Sequence, residues 1–188
     1  MTQQTPANQP PTQPSDEATK KGLQLAREQG QAYQRALEYM TTQVAHGSKK
    51  SAGDYLIGYA VEEAEGLYHF NDGRLVWKEP GDANAHVEVA VCDAADGRFI
   101  PALTIYATLI DSSGKEVGTH QQAFLWHPTL YHYGRDWQVP GDGIYTLRIR
   151  IEPPTFPRHD KTNGMRYSQP VEVEFSQVQI KTGRKVST

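Results

Sequence analysis

His86-Val87-Glu88-Val89-Ala90-Val91-Cys92 alternates without a break. Val87, Val89 and Val91 recur at every second residue, the period of an extended strand with one face in a core. His86, Glu88, Ala90 and Cys92 take the other face. The same period runs through Leu103-Thr104-Ile105-Tyr106-Ala107-Thr108-Leu109, Tyr145-Thr146-Leu147-Arg148-Ile149-Arg150-Ile151 and Val171-Glu172-Val173-Glu174-Phe175. Turn chemistry separates the runs at Asp111-Ser112-Ser113-Gly114 and Pro140-Gly141-Asp142-Gly143. With Tyr55–Ala60, Leu67–Phe70 and Val117–Trp126 the strands number about seven, a pattern that predicts an all-β fold. The expected architecture is an immunoglobulin-like antiparallel β-sandwich of about seven or more strands with an N-terminal α-helix. The Cys…Trp…Cys signature of true immunoglobulin domains is absent.

Toward the N-terminus the pattern changes. Met1–Ser15 holds four prolines and no large side chain apart from Met1, so it reads as a disordered tail. Ser15 reads as a helix N-cap, with Asp16 and Glu17 suited to the positive helix end. Leu25, Gln29, Tyr33, Ala36, Leu37, Met40 and Val44 recur at helical spacing up to about His46, while Gly22 and Gly30 weaken the helix. Gly47–Gly53 reads as a basic Gly/Ser linker. The expected division is a tail over residues 1–15, a helix and linker over 16–52, and a β-sandwich metal-binding domain over 53–188.

Composition excludes several function classes. The 188 residues carry a formal net charge of −3 and no basic run, which argues against nucleic acid. No apolar run approaches the roughly 20 residues of a membrane span, so no membrane insertion is expected. The first 15 residues lack the basic start and apolar stretch of a signal peptide. A single cysteine excludes an internal disulfide framework and a thiolate zinc module. Seven histidines remain as the chemistry-bearing feature.

His86 and Glu88 share a strand face with Cα atoms roughly 6–7 Å apart, a spacing at which both can reach one ion. Cys92 lies roughly 13 Å beyond Glu88 and reads as a small buried hydrophobe. Phe124-Leu125-Trp126-His127-Pro128-Thr129-Leu130-Tyr131-His132-Tyr133-Gly134 reads as a stiff aromatic loop that presents two histidines and shields them from water. His159 stands in the polar loop Pro157-Arg158-His159-Asp160, where Asp160 can orient it. His46, His69 and His120 receive no role. There is no nucleophile elbow and no phosphate-cradling glycine loop, and no enzymatic activity is expected.

His86-Val-Glu88, Ile100-Pro-Ala-Leu-Thr-Ile-Tyr-Ala-Thr-Leu, His132-Tyr-Gly, Gly143-Ile-Tyr-Thr-Leu-Arg-Ile-Arg-Ile-Glu-Pro-Pro and His159-Asp-Lys-Thr occur in that order. Over roughly Gly53 to Ser176 the chain thereby resembles the bacterial ferrous-iron-transport-associated proteins. These are small periplasmic copper- and iron-binding proteins with an immunoglobulin-like sandwich. The resemblance implies a periplasmic homodimer with a copper site, acting beside an inner-membrane iron permease in high-affinity iron uptake. It carries the strand ligands onto His86 and Glu88, the His-Tyr-Gly ligand onto His132, and a later histidine, offered to the neighbouring subunit's site, onto His159. The family's methionine ligand has no counterpart, since Leu125 cannot bind metal. His127 is the substitute. Imidazole in place of a thioether leaves a nitrogen- and oxygen-rich set that suits Cu(II), with Zn(II) as competitor and iron as a further metal. Two alternatives stand beside this reading: a sandwich interaction module with incidental histidines, and a copper-dependent iron oxidoreductase.

Overall fold

The computed structural model describes residues 10–186. Helix α1 spans Lys20–Tyr39 and continues into one π-helical turn, Met40–Val44. Ten strands follow: β1 (His46–Ala52), β2 (Tyr55–Glu62), β3 (Leu67–Asn71), β4 (Arg74–Lys78), β5 (Ala85–Asp93), β6 (Ile105–Ile110), β7 (Glu116–Trp126), β8 (Tyr131–Trp137), β9 (Gly143–Ile151) and β10 (Val171–Ile180). Eight of them form one antiparallel sheet in the order β1-β2-β5-β8-β7-β6-β9-β10, and β3 pairs only with β4.

The sheet folds over at β7. Its first part pairs with β6 up to Gln122, and Ala123–Trp126 pairs with β8. One layer is therefore β1-β2-β5-β8 and the other β6-β9-β10. Between them lie Ile57, Val87, Val89, Val91, Ile105, Ala107, Leu109, Trp137, Leu147, Ile149 and Ile151, all in one apolar cluster. These are the alternate residues of the strands, so the two-residue period has placed them as expected. The fold is the predicted mostly-β sandwich with an N-terminal helix.

Four local expectations are corrected. Gly47–Ala52 is not linker but most of β1, paired along its length with β2. Its polar side chains conceal it, because an edge strand is held by backbone hydrogen bonds and needs no apolar face. Phe124–Gly134 is not a loop but the β7–β8 hairpin, with only His127–Leu130 in the connection. The helix starts after Thr19, whose Oγ1 accepts from the Gly22 amide at 3.1 Å. Ser15 is otherwise engaged: its hydroxyl donates to Asp160 at 2.7 Å. Finally, Pro10–Ser15, expected within a disordered tail, is tied down. Gln13 exchanges two hydrogen bonds with Asn163, and Arg166 donates to the Pro10 carbonyl. The rest of that expected tail, residues 1–9, lies outside the described residues.

Helix α1 covers the outer face of β5. Leu37 packs on Ala90 and Cys92, flanked by Tyr33 and Leu56. Gly30, read from sequence as a weakness, is what permits this docking. A Cβ there would collide with the Asp96 carbonyl, so the helix closes on the Asp96–Arg98 turn only because the side chain is missing.

Candidate metal centre

All nine residues of β5 are buried, on both faces. Val87, Val89 and Val91 enter the sandwich core, and His86 and Glu88 therefore point outward, toward the side partly covered by the helix. β8 lies beside β5 in antiparallel register, with His86 opposite Asp136 and Glu88 opposite Gly134. His132 stands two residues before Gly134 on that strand, buried like its neighbours. Strand pairing thus brings together residues 46 positions apart in sequence, and His86, Glu88 and His132 converge with one ligand atom each inside a mutual 4.8 Å.

The surroundings fit a cation. His86 is fully buried, and its Nδ1–H donates to Asp136 Oδ1 at 2.8 Å. That bond holds the ring in place and leaves Nε2 as the nitrogen not taken up by protein, the arrangement in which a carboxylate orients a metal-binding imidazole. Nε2 of His86 has no hydrogen-bond partner, nor does either nitrogen of His132. Buried polar atoms are almost always satisfied, so three orphaned nitrogens at one place, with His132 Nε2 3.5 Å from Glu88 Oε1, make this a candidate cation site. Gly134 completes the cradle. A Cβ there would lie 2.8 Å from His86 Nε2 and 2.9 Å from Leu125 Cδ1, in the space the imidazole uses.

The site's electrostatics follow from burial and mutual charge. Burial, opposed by His86 and reinforced by Glu62 and Glu65, pushes the Glu88 carboxyl up to about 7. Burial, together with the charges of His86 and His127, drives His132 down to about 4. For His86 burial pulls the other way, but Asp136, Glu88 and Glu65 outweigh it and raise the pKa above the usual imidazole value. His132 is therefore neutral at pH 7, the state a metal requires of imidazole. Together the donors offer nitrogen and carboxylate oxygen to one ion.

The other sequence candidates fall differently. His127 is not among the three converging residues. Its ring centroid lies 6.1 Å from that of His132, close to the 6.4 Å between the His86 and His132 rings, and its Nδ1 is 2.9 Å from the Thr129 hydroxyl. His159 is exposed on the loop between β9 and β10, outside the cluster. Cys92 shares the outer face of β5 but is fully buried beneath the helix, and burial raises its thiol to about 12. It sits there as the small buried hydrophobe its sequence setting suggested. Sequence reasoning did not find Asp136. Its role becomes visible only once β8 is recognised as a strand and set in register with β5.

Residues 79–181, more than half of the chain, match the family described as Fe2+ transport protein. The chain belongs to that family. No curated protein matches it. Among solved structures it is similar to FetP of uropathogenic Escherichia coli, with 21% identity, a TM-score of 0.60, and coverage of 72% of this chain and 94% of that one. It is also similar to copper-reconstituted P19 of Campylobacter jejuni, with 18% identity, a TM-score of 0.60, and coverage of 74% and 96%. At these identities the two likenesses establish a shared fold. Membership of the family covers every candidate ligand named from the sequence, since His86, Glu88, His127, His132 and His159 all lie inside the matched span.

Proposed function

We propose that the protein is a non-enzymatic metal-binding accessory protein of iron uptake, with His86, Glu88 and His132 as the core of a copper site. The observation that carries this reading is the pair of buried imidazoles with unpartnered nitrogens, converging with a buried carboxylate and backed by Asp136. Copper, when bound, supplies a charge that satisfies these atoms. The protein's part is to present a neutral imidazole at His132, hold the His86 ring against Asp136 and exclude competing water. The family's iron-transport description and the copper carried by reconstituted P19 favour copper here and iron as cargo. Zn(II) competes for the same nitrogen and oxygen donors. His127, beside His132, supplies a further ligand from the β7–β8 turn. His159, on an exposed loop, serves the site of a second copy in a homodimer. A periplasmic location beside an inner-membrane iron permease belongs to the same reading. FetP was crystallised after expression in the periplasm, and no described helix of this chain is long and apolar enough to cross a membrane.

Copper titration of the purified protein tests the site. The wild-type chain takes up one Cu(II) per chain near neutral pH, and His132→Ala loses this uptake. Equal stoichiometry and affinity in the two proteins would overturn the assignment. Acidification releases the metal as the imidazoles protonate, so binding that is unchanged from pH 7.5 to 5 would exclude histidine ligation.

A further inference from the structure

Three converging donors are fewer than the four or more ligands that imidazole- and carboxylate-bound transition metals take. The loop between β2 and β3 offers another, Glu65, which stands outside the mutual 4.8 Å of those three but beside one of them. Glu65 Oε1 lies 4.0 Å from His86 Nε2, the fully buried nitrogen that has no hydrogen-bond partner. Its position is fixed from both sides. The Glu65 amide donates to Asp136 Oδ1 at 3.2 Å, the same oxygen that receives His86 Nδ1. One carboxylate therefore sets both the imidazole and the backbone of Glu65. On the far side, Lys185 Nζ holds Glu65 Oε2 at 2.9 Å and also binds Glu62. Lys185 is delivered by the segment after β10, whose Gly183 carbonyl accepts from the Ala64 amide and whose Lys185 amide donates to the Ala64 carbonyl.

Charge points the same way. Glu62, Glu65 and Glu88 stand within electrostatic reach of one another and of the single ammonium of Lys185. The local excess of carboxylate is the complement of a divalent cation. Lys185 occupies only one oxygen of Glu65 and leaves Oε1 on the side of His86. Both Glu65 and Lys185 lie outside residues 79–181, so the family match assigns neither of them.

We propose that Glu65 is a direct ligand of the metal held by His86, Glu88 and His132, with Lys185 as the positioning residue that keeps its Oε2 occupied and its Oε1 free. The proposal rests on the metal-binding reading above. It makes the set three imidazoles, counting His127, and two carboxylates, whose charge balances a divalent ion and whose oxygens favour Cu(II) or Fe(II) over Cu(I).

The test is Cu(II) titration of the full chain, followed by electron paramagnetic resonance of the one-to-one complex, for wild type and Glu65→Gln. The substitution is isosteric, and thermal unfolding of the metal-free proteins checks that both are folded. Loss of the ligand weakens Cu(II) binding about tenfold or more and changes the copper hyperfine pattern, because an anionic oxygen leaves the coordination shell. Wild-type affinity together with an unchanged spectrum in Glu65→Gln would overturn the proposal while leaving the copper site intact. Weakened binding with an unchanged spectrum would also overturn it, since the effect would then be long-range charge. Failure of the wild-type chain to bind Cu(II) at all would overturn both readings.

Discussion

The outer face of β5 has two ends that are equally buried and chemically opposite. At one end His86 and Glu88 are 0% and 6% exposed; at the other Ala90 and Cys92 are 4% and 0% exposed. The Ala90–Cys92 end is sealed by Leu37 of the helix, and every group there is content in an apolar setting. The His86–Glu88 end holds nitrogens without partners and a carboxyl pushed up to about 7. Burial alone is therefore uninformative about function. What separates the ends is whether the buried groups are satisfied. The apolar end contributes stability through area removed from water, and the polar end costs stability until an ion arrives.

This contrast can be broken by experiment. Leu37→Ala acts on the sealed end. It lowers the unfolding free energy by about 2–4 kcal/mol, measured by denaturant titration, and leaves copper stoichiometry at one per chain. Loss of copper binding in a folded Leu37→Ala protein would show that the two ends are not separable. Glu88→Gln acts on the other end, with the opposite sign for stability. The folded pKa of Glu88, about 7, exceeds its ordinary value of 4.5, so the native state binds more protons than the unfolded state between those values. The metal-free fold thus loses stability as pH rises through that window, and the penalty is complete above pH 7. The amide carries no such penalty. Metal-free Glu88→Gln is more stable than wild type at pH 8 by on the order of 2 kcal/mol, an advantage that shrinks toward pH 5. Paired denaturation curves at the two pH values check it. The smallest effect is expected from Asp136→Asn, which keeps every direct ligand but weakens the acceptor that holds His86. Copper affinity then falls about tenfold, and an unchanged dissociation constant would show that Asp136 does not orient the ring.

His132 titrates in the opposite sense to Glu88. Its pKa, lowered to about 4 from 6.5, makes the neutral ring a source of stability above pH 6.5 that is lost as pH falls through 4. The metal-free site is thus penalised on both sides of neutrality by different residues.

How much of this was legible in the sequence depended on whether side chains or backbone carried the information. The run from His86 to Cys92 announced both the core face and two ligands, because alternation is a side-chain signal. His132 was found among its aromatics even though its setting was misjudged. β8 hid because Tyr131-His132-Tyr133-Gly134 has no apolar–polar alternation. His132, Tyr133 and Gly134 are buried in succession, as strands covered on both faces are. β1 hid because Ser48, Lys49 and Lys50 carry no apolar pattern. Glu65, Asp136 and Lys185 hid for a third reason: they meet only through strand register and a returning C-terminal segment. Gly30 and Gly134 were read as weak points or motif letters, whereas each is a space that another group fills.

The strand that folds the sheet over, β7, ties both layers into a single hydrogen-bonded shell, with the apolar core inside and the ion site outside. An ion entering or leaving from the outer side crosses no part of that interior. Binding of an ion at the proposed site is thereby kept apart from the packing of the core.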